Sequence, residues 1–419
     1  MEVKRRLVRA INRDFEDIEA VFINGARQTG KSTLAESFGK AGFAGQPAGS
    51  KVRYINFDDL SQRSAEIAAP GQAFADIEEG LVILDEIQLV PASFLALKQR
   101  IDKLRRGKTE VKFLLTGSAD IMLIPRLAEA LVGRMYVRTL YPFSAAEILN
   151  KPGAFVESMF RGAPDTGRQY SKVDINSIIA RTSFPKLSLE IKNRGPWFEN
   201  YLTILFERDI RNFSDIDRLD LFPRLLSILA SRTGGLINDA NLSGALKLSQ
   251  PTIKRYRTLL NGVFLTFLLP PWFANLEKRL VKTPKIYFTD TMLLCHLLGM
   301  EPQEIEKKQN PLYGFVLENF VAGELTKEIS LLDGLKLYFF RTGDRKEVDF
   351  IVQDRQGRIL AIELKSSASA VAEDFKHLRY LKELVPGSFV RGVLLYRGTQ
   401  VIGFGKDLYA VPVSALWEM

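Results

Sequence analysis

The sequence predicts an α/β protein, with a parallel-sheet unit, a helical linker, a small helix–turn–helix unit and a second α/β unit. Three observations lead there. Continuous apolar runs recur in the first third, at Ala20–Ile23, Leu81–Leu84 and Val111–Leu115, as strands buried on both faces read. Helical spacing dominates the middle, for example from Trp197 to Ile210. The last third returns to strands, with Leu335–Arg341, an alternating Glu347–Val352 and Ile359–Leu364 around a Gln356-Gly357 turn. A chain of 419 residues exceeds what one core usually holds. The expected units are 1–145, 146–215, 216–275 and 276–419.

Composition narrows the class. Hydrophobic residues make up 46% and charged residues 26%, the ordinary balance of a globular protein. Cys295 is the one cysteine, which excludes an internal disulfide and a cysteine-based zinc cluster. Two histidines leave little room for a histidine-rich metal site. No apolar run approaches the ~20 residues of a membrane span. The start, Met1–Arg6, is basic but has no apolar signal core behind it. A cytoplasmic protein without a membrane partner is expected. The net charge of +9 favours a polyanionic partner, and scattered solubilising lysines explain it equally well.

The first unit carries the strongest chemical pattern. Gly25-Ala26-Arg27-Gln28-Thr29-Gly30-Lys31-Ser32-Thr33 follows the first apolar run and opens a helix. Glycines let successive backbone N–H groups turn inward around phosphates, and the helix start adds its positive dipole end. Lys31 is expected on the β- and γ-phosphates of ATP and Ser32 on Mg²⁺. The second buried run ends in Asp85-Glu86, and the third in Thr116-Gly117-Ser118. Ligands gather at the carboxyl ends of strands in open α/β sheets. Asp85 is thus expected in the Mg²⁺ shell and Glu86 as the group that polarises attacking water. Ser118 would sense the γ-phosphate or orient that water. A hydrolysing nucleoside triphosphatase follows. Between these motifs, Gly39–Ser50 reads as a loop and Val52–Asn56 as a further strand. Asp58 and Asp59 after it fit the nucleotide site or plain turn chemistry.

At these motifs the chain resembles AAA-type P-loop ATPases. Leu131-Val-Gly-Arg134, then Leu140-Tyr-Pro-Phe-Ser with Glu147, narrows the likeness. It is similar to prokaryotic AAA-like ATPases carrying a C-terminal domain of unknown function related to restriction endonucleases. The resemblance runs through almost the whole chain. Arg134 could act as an arginine finger on its own or a neighbouring subunit's γ-phosphate, or form a surface salt bridge. A ring of copies follows from this analogy alone.

The 146–215 stretch reads as a helical lid or linker, broken by a Gly162–Tyr170 loop and at Pro185. Arg208 and Asp209 fit subunit contacts or, more simply, an internal i-to-i+4 network. In 216–275, Leu221–Arg232, Asp239–Lys247 and a third helix through Leu260 precede a strand-like run ending at Leu269-Pro270-Pro271. That layout is a winged helix-turn-helix, with Ser249 and Pro251 starting the third helix. Lys254, Arg255 and Arg257 would then contact DNA phosphates, the alternative being a module that packs on another domain.

In the last unit, Asp349, thirteen intervening residues and Glu363-x-Lys365 resemble the PD-(D/E)xK restriction-endonuclease core. Residues 363 and 365 share one strand face. Asp349 and Glu363 are expected to converge on Mg²⁺, with Lys365 stabilising charge or activating water. Glu318, on a helix at 313–325, would add a carboxylate. The motif begins Glu347-Val-Asp349 and lacks the proline of the class pattern. Three readings stay open: an ATPase that positions a nuclease-like half on DNA, an ATP-driven switch on a protein partner, and an ATP-liganded DNA-binding regulator.

Overall fold

The structure is a computed structural model that describes residues 3–43, 50–107, 111–118, 133–211, 218–273, 283–301 and 310–419. Its first sheet holds β1 (Ala20–Asn24), β2 (Val52–Asn56), β3 (Gly80–Asp85), β4 (Val111–Thr116) and β5 (Met135–Thr139). The strands lie in the order β2-β3-β4-β1-β5 and every pairing is parallel. Such a sheet needs cover on both faces, which is why β1 is apolar over Ala20–Ile23 and β3 over Leu81–Leu84. One face packs on α1 (Leu7–Asp17) and α2 (Lys31–Ala41), through Phe15, Leu34 and Phe38. The other packs on α4 (Ser93–Gly107), through Phe94, Leu97 and Ile101. Between them in sequence lies α3 (Leu60–Ala68). Helix α2 runs to Ala41, so the loop expected from Gly39 begins later, and residues 44–49 lie outside the described residues.

Most of the remainder folds around one continuous apolar core that draws residues from Ala145 to Trp417 and takes in Ala26 of the first unit. The linker helices include Ile175–Arg181, Pro185–Leu189 and Arg194–Ile204, the last continued by a π-helical turn, Leu205–Ile210. The three expected helices appear as Phe222–Ala230, Asp239–Leu246 and Gln250–Gly262. Ser249 begins the third, its hydroxyl accepting from the Thr252 amide at 3.2 Å. β6 (Thr266–Leu269) then pairs antiparallel with β7 (Lys285–Phe288). The boundary expected between 275 and 276 thus falls between two strands that pair with each other.

The C-terminal sheet contains β8 (Lys336–Arg341), β9 (Glu347–Gln353), β10 (Ile359–Leu364), β11 (Phe389–Tyr396), β12 (Ile402–Gly403) and β13 (Leu408–Pro412). Their order is β12-β13-β11-β10-β9-β8. β8, β9 and β10 are antiparallel neighbours, whereas β10, β11 and β13 run parallel. One face meets the long helix Tyr313–Ile329 within the shared core, and the other packs on the helix Lys376–Leu384. Among the described residues no helix is long and apolar enough to cross a membrane.

Candidate functional site

The turn from β1 to α2 is built by glycine. Gly25 has φ +144°, and a Cβ there would lie 2.3 Å from the Leu140 carbonyl oxygen. Gly30, at φ +89°, begins α2 without any side-chain cap, so the first-turn N–H groups stay available for an anion. Thr29 Oγ1 donates to the Ala26 carbonyl at 2.9 Å and braces the loop from inside. Lys31 is buried and folds back onto that loop, its Nζ 3.0 Å from the Gly25 and 2.9 Å from the Ala26 carbonyl oxygens. Burial lowers its pKa, against Glu86 and Asp85, which favour the charge. Ser32 is half-buried beside it, while Thr33 faces solvent.

The acids arrive where strand order predicts. Asp85 closes β3 and is buried, accepting from the Tyr54 hydroxyl at 2.5 Å and from Thr116 Oγ1. The same Tyr54 hydroxyl meets Ser32, so one phenol joins the two expected Mg²⁺ ligands of this unit. Glu86 has a left-handed backbone, φ +56°, and its N–H donates to Thr116 Oγ1 at 3.1 Å. A left-handed glutamate is costly, and such conformations gather at functional sites. Gln88 Nε2 donates to Glu86 Oε2 and, at 3.2 Å, to Ser118 Oγ. Among the described residues Gln88 Oε1 is buried without a partner. The sequence reading missed Tyr54 and Gln88. The one signal for Gln88 was its place two residues beyond Glu86.

Three expected residues are placed elsewhere. Arg134 pairs with Asp102 of α4 through both Nε (2.7 Å) and Nη2 (3.1 Å). It precedes β5, whose parallel register sets Met135 beside Ala20 and Thr139 beside Asn24. It thus lies at the entry end of the sheet, about 16 Å from the phosphate end at ~3.3 Å per residue. This corrects the expectation that it reaches its own subunit's nucleotide. The 119–132 stretch before it lies outside the described residues. Arg208 and Asp209 do not form an internal network either. Arg208 Nη2 meets Asp58 at 3.1 Å, and Asp209 accepts from Arg27 Nε at 2.6 Å, so both tie the linker to the first unit. The i-to-i+4 pair in that turn is Glu207 with Arg211. Asp59 is a helix cap, accepting from the Ser61 and Gln62 amides, as turn chemistry requires.

In the helical unit, Lys254 and Arg255 are exposed. Arg257 is buried against Asp239 at 2.8 Å, so its expected phosphate contact is corrected to an internal ion pair.

The C-terminal acids meet in part. The antiparallel register pairs Phe350 with Ile362 and so sets Asp349 opposite Glu363. Asp349 Oδ2 accepts from the Leu364 amide at 2.9 Å. Burial, with Glu318 close by, raises the Asp349 carboxyl to about 7, and burial with Asp349 raises Glu363 to about 8. Among the described residues Glu363 Oε2 is buried without a hydrogen-bond partner, and His377 Nδ1 stands 3.4 Å from Oε1. Glu318 does not join them as a free ligand. Lys285 of β7 lies 3.0 Å from Glu318 and 2.6 Å from Glu347, and Tyr287 donates to Glu318 at 2.6 Å. A lysine thus fills the place expected for a metal at Glu318. Among the described residues no group of three His, Cys, Asp or Glu closes to metal-binding geometry. Lys365 pairs with Asp374.

Residues 17–149 match the family described as AAA domain. The first unit resembles the P-loop core of AAA-type ATPases. Residues 174–304 and 313–416 match two families described as domains of unknown function, DUF8612 and DUF4143. Uncharacterized proteins of Mycobacterium bovis and Mycobacterium tuberculosis are each 28% identical over 414 residues, covering 98% of this chain and 83% of theirs. Among solved structures, AMPPCP-bound DnaA from Aquifex aeolicus is similar with TM-score 0.30 and 13% identity, over 62% of this chain and 89% of that one. The Aeropyrum pernix Orc1 protein in complex with DNA has TM-score 0.30 and 13% identity, over 73% and 95%. At these scores the likenesses carry no weight for function.

Proposed function

We propose that the chain binds and hydrolyses ATP with Mg²⁺ and that nucleotide state repositions its C-terminal half on DNA. The observation that carries this reading is the gathering of Lys31, Ser32, Asp85 and Glu86 at one end of the parallel sheet, around a loop only glycine can form. The residues fit the ligand. The loop leaves backbone donors open, and Lys31 rests on carbonyls that a phosphate would replace. Asp85 and Ser32 would hold Mg²⁺, which supplies charge neutralisation along the phosphates. Thr116 and Tyr54 keep Asp85 aimed, while Gln88 and Thr116 hold Glu86 where it accepts a proton from water. Ser118 stands beside Gln88 with its hydroxyl proton available for a phosphate oxygen.

A second reading concerns the tail, metal-assisted cleavage of DNA by Asp349, Glu363 and Lys365. The unpartnered Glu363 Oε2 and the facing Asp349 favour it, since two crowded acids with an orphan oxygen suit one cation. As a three-carboxylate site it does not fit, because Glu318 belongs to Lys285. The test is supercoiled DNA in Mg²⁺ or Mn²⁺, with and without ATP, beside Asp349→Ala and Lys31→Ala. Nicking lost in Asp349→Ala supports a nuclease, and nicking that also needs Lys31 supports an ATP-driven one. Intact DNA with DNA-stimulated ATP turnover leaves the tail as a recognition domain. Turnover indifferent to DNA moves the reading to a protein partner.

A further inference from the structure

Arg27 sits in the middle of the phosphate loop, and among the described residues its guanidinium is gripped along one edge only. Its Nε donates to Asp209 Oδ2 at 2.6 Å, and Asp209 is itself buried. Burial works against the Arg27 charge, yet Asp209, with Glu86 and Asp58 near enough to be felt, raises its pKa. That charge is felt by Asp209 and by Glu86, the acid expected to polarise the attacking water. The Nε contact orients the plane and leaves the two Nη nitrogens for another ligand. Paired guanidinium nitrogens match the oxygens of a phosphate better than any other side chain does.

Asp209 lies in the π-helical turn Leu205–Ile210, which continues the linker helix Arg194–Ile204. Its neighbour Arg208 reaches Asp58, just beyond β2. Consecutive linker residues thus touch two loops at the phosphate end of the sheet. π-Turns inside helices mark places where packing has been traded for function.

We infer that Arg27, oriented through Nε by Asp209, is the arginine that neutralises the terminal phosphate within its own chain, and that this pair reports the phosphate to the linker. The inference rests on the ATPase reading and assigns to Arg27 the task expected of Arg134. Asp209 is a positioning residue, acting only through Arg27.

Single-turnover ATP hydrolysis and fluorescent-nucleotide titration on the full chain test it. Arg27→Ala should lower the rate about 1,000-fold while nucleotide affinity changes less than about tenfold, the scale at which supplied arginines act. Asp209→Asn should lower it about tenfold at unchanged affinity, and should cost nothing further in the Arg27→Ala background. The parent's rate per molecule should not depend on protein concentration. If Arg27→Ala fails to fold, Arg27→Lys carries the test, with a loss of about tenfold or more, since lysine keeps the charge but not the paired donors. A rate within about threefold of the parent in both Arg27 variants overturns the inference, as does an Asp209→Asn loss undiminished without Arg27. A parent that binds ATP without hydrolysing it sinks the ATPase reading itself, which separates the two failures.

Discussion

Gln88 shows how much of this site depends on residues that never meet the ligand. Its amide holds Glu86 and reaches Ser118, and its own carbonyl oxygen is left buried and unpaired. An orphaned acceptor costs about 1–3 kcal/mol, which is tolerated where the geometry it enforces is needed. Gln88→Ala should therefore lower kcat about 10- to 100-fold, part of what a positioned base contributes, with nucleotide Kd unchanged. Phosphate release and fluorescent-nucleotide titration separate the two, and a raised Kd at normal kcat would contradict the assignment. Tyr54 joins Asp85 to Ser32. Tyr54→Phe should raise the Mg²⁺ concentration needed for half-maximal turnover several-fold, read from a Mg²⁺ titration at saturating ATP. Lys31, Ser32, Asp85, Glu86 and Ser118 were legible in the sequence because strand ends and a glycine-bounded loop fix where they arrive. Tyr54, Gln88 and the partners of Arg27 were not, because side-chain contacts between separate strands and loops leave no spacing to read.

Single elements join the two halves. The long helix Tyr313–Ile329 sends Glu324 to the Ala145 amide at 2.9 Å and Glu328 to the Val156 amide at 2.8 Å, so each acid serves the start of a linker helix. Burial raises the Glu328 carboxyl to about 8, against the pull of the Val156 amide. The folded chain thus keeps a proton that the unfolded chain releases near 4.5. Stability from this group is full below that value and falls as pH rises toward about 8, by up to about 1.4 kcal/mol per pH unit. Glu328→Gln should melt higher than the parent at about pH 8 and nearly the same at about pH 5, by parallel thermal scans. Equal shifts at both values would remove Glu328 as the cause. The strand pattern of β9 and β10 set Asp349 opposite Glu363 from sequence alone. The same pattern could not reveal Lys285, which enters from β7, far away in the chain. Arg134 was misplaced for a related reason. No strand was read after Arg134, so nothing in the sequence showed that it precedes β5 and sits at the entry end of the sheet. Arg134→Ala should leave turnover per molecule unchanged across protein concentrations, measured by phosphate release.

Across the whole molecule, the linker, three-helix unit and one face of the C-terminal sheet share one core, the sheet's other face has a second, and the first unit has two of its own. That division was partly legible, since the apolar runs of the first unit read as a self-contained sheet. The continuity of the rest was not, because β6 and β7 pair across a stretch that reads as a boundary. DNA should raise ATP turnover several-fold at low salt and less at high salt, as phosphate contacts demand. Lys254→Glu combined with Arg255→Glu should remove that stimulation. The most direct test of the central claim is phosphate release by the purified chain in Mg²⁺ and ATP, beside Lys31→Ala and Glu86→Gln. The account predicts steady Mg²⁺-dependent turnover in the parent, none in either variant, and retained nucleotide binding in Glu86→Gln. Turnover surviving in Lys31→Ala, or absent from the parent under every Mg²⁺ and DNA condition, would contradict it.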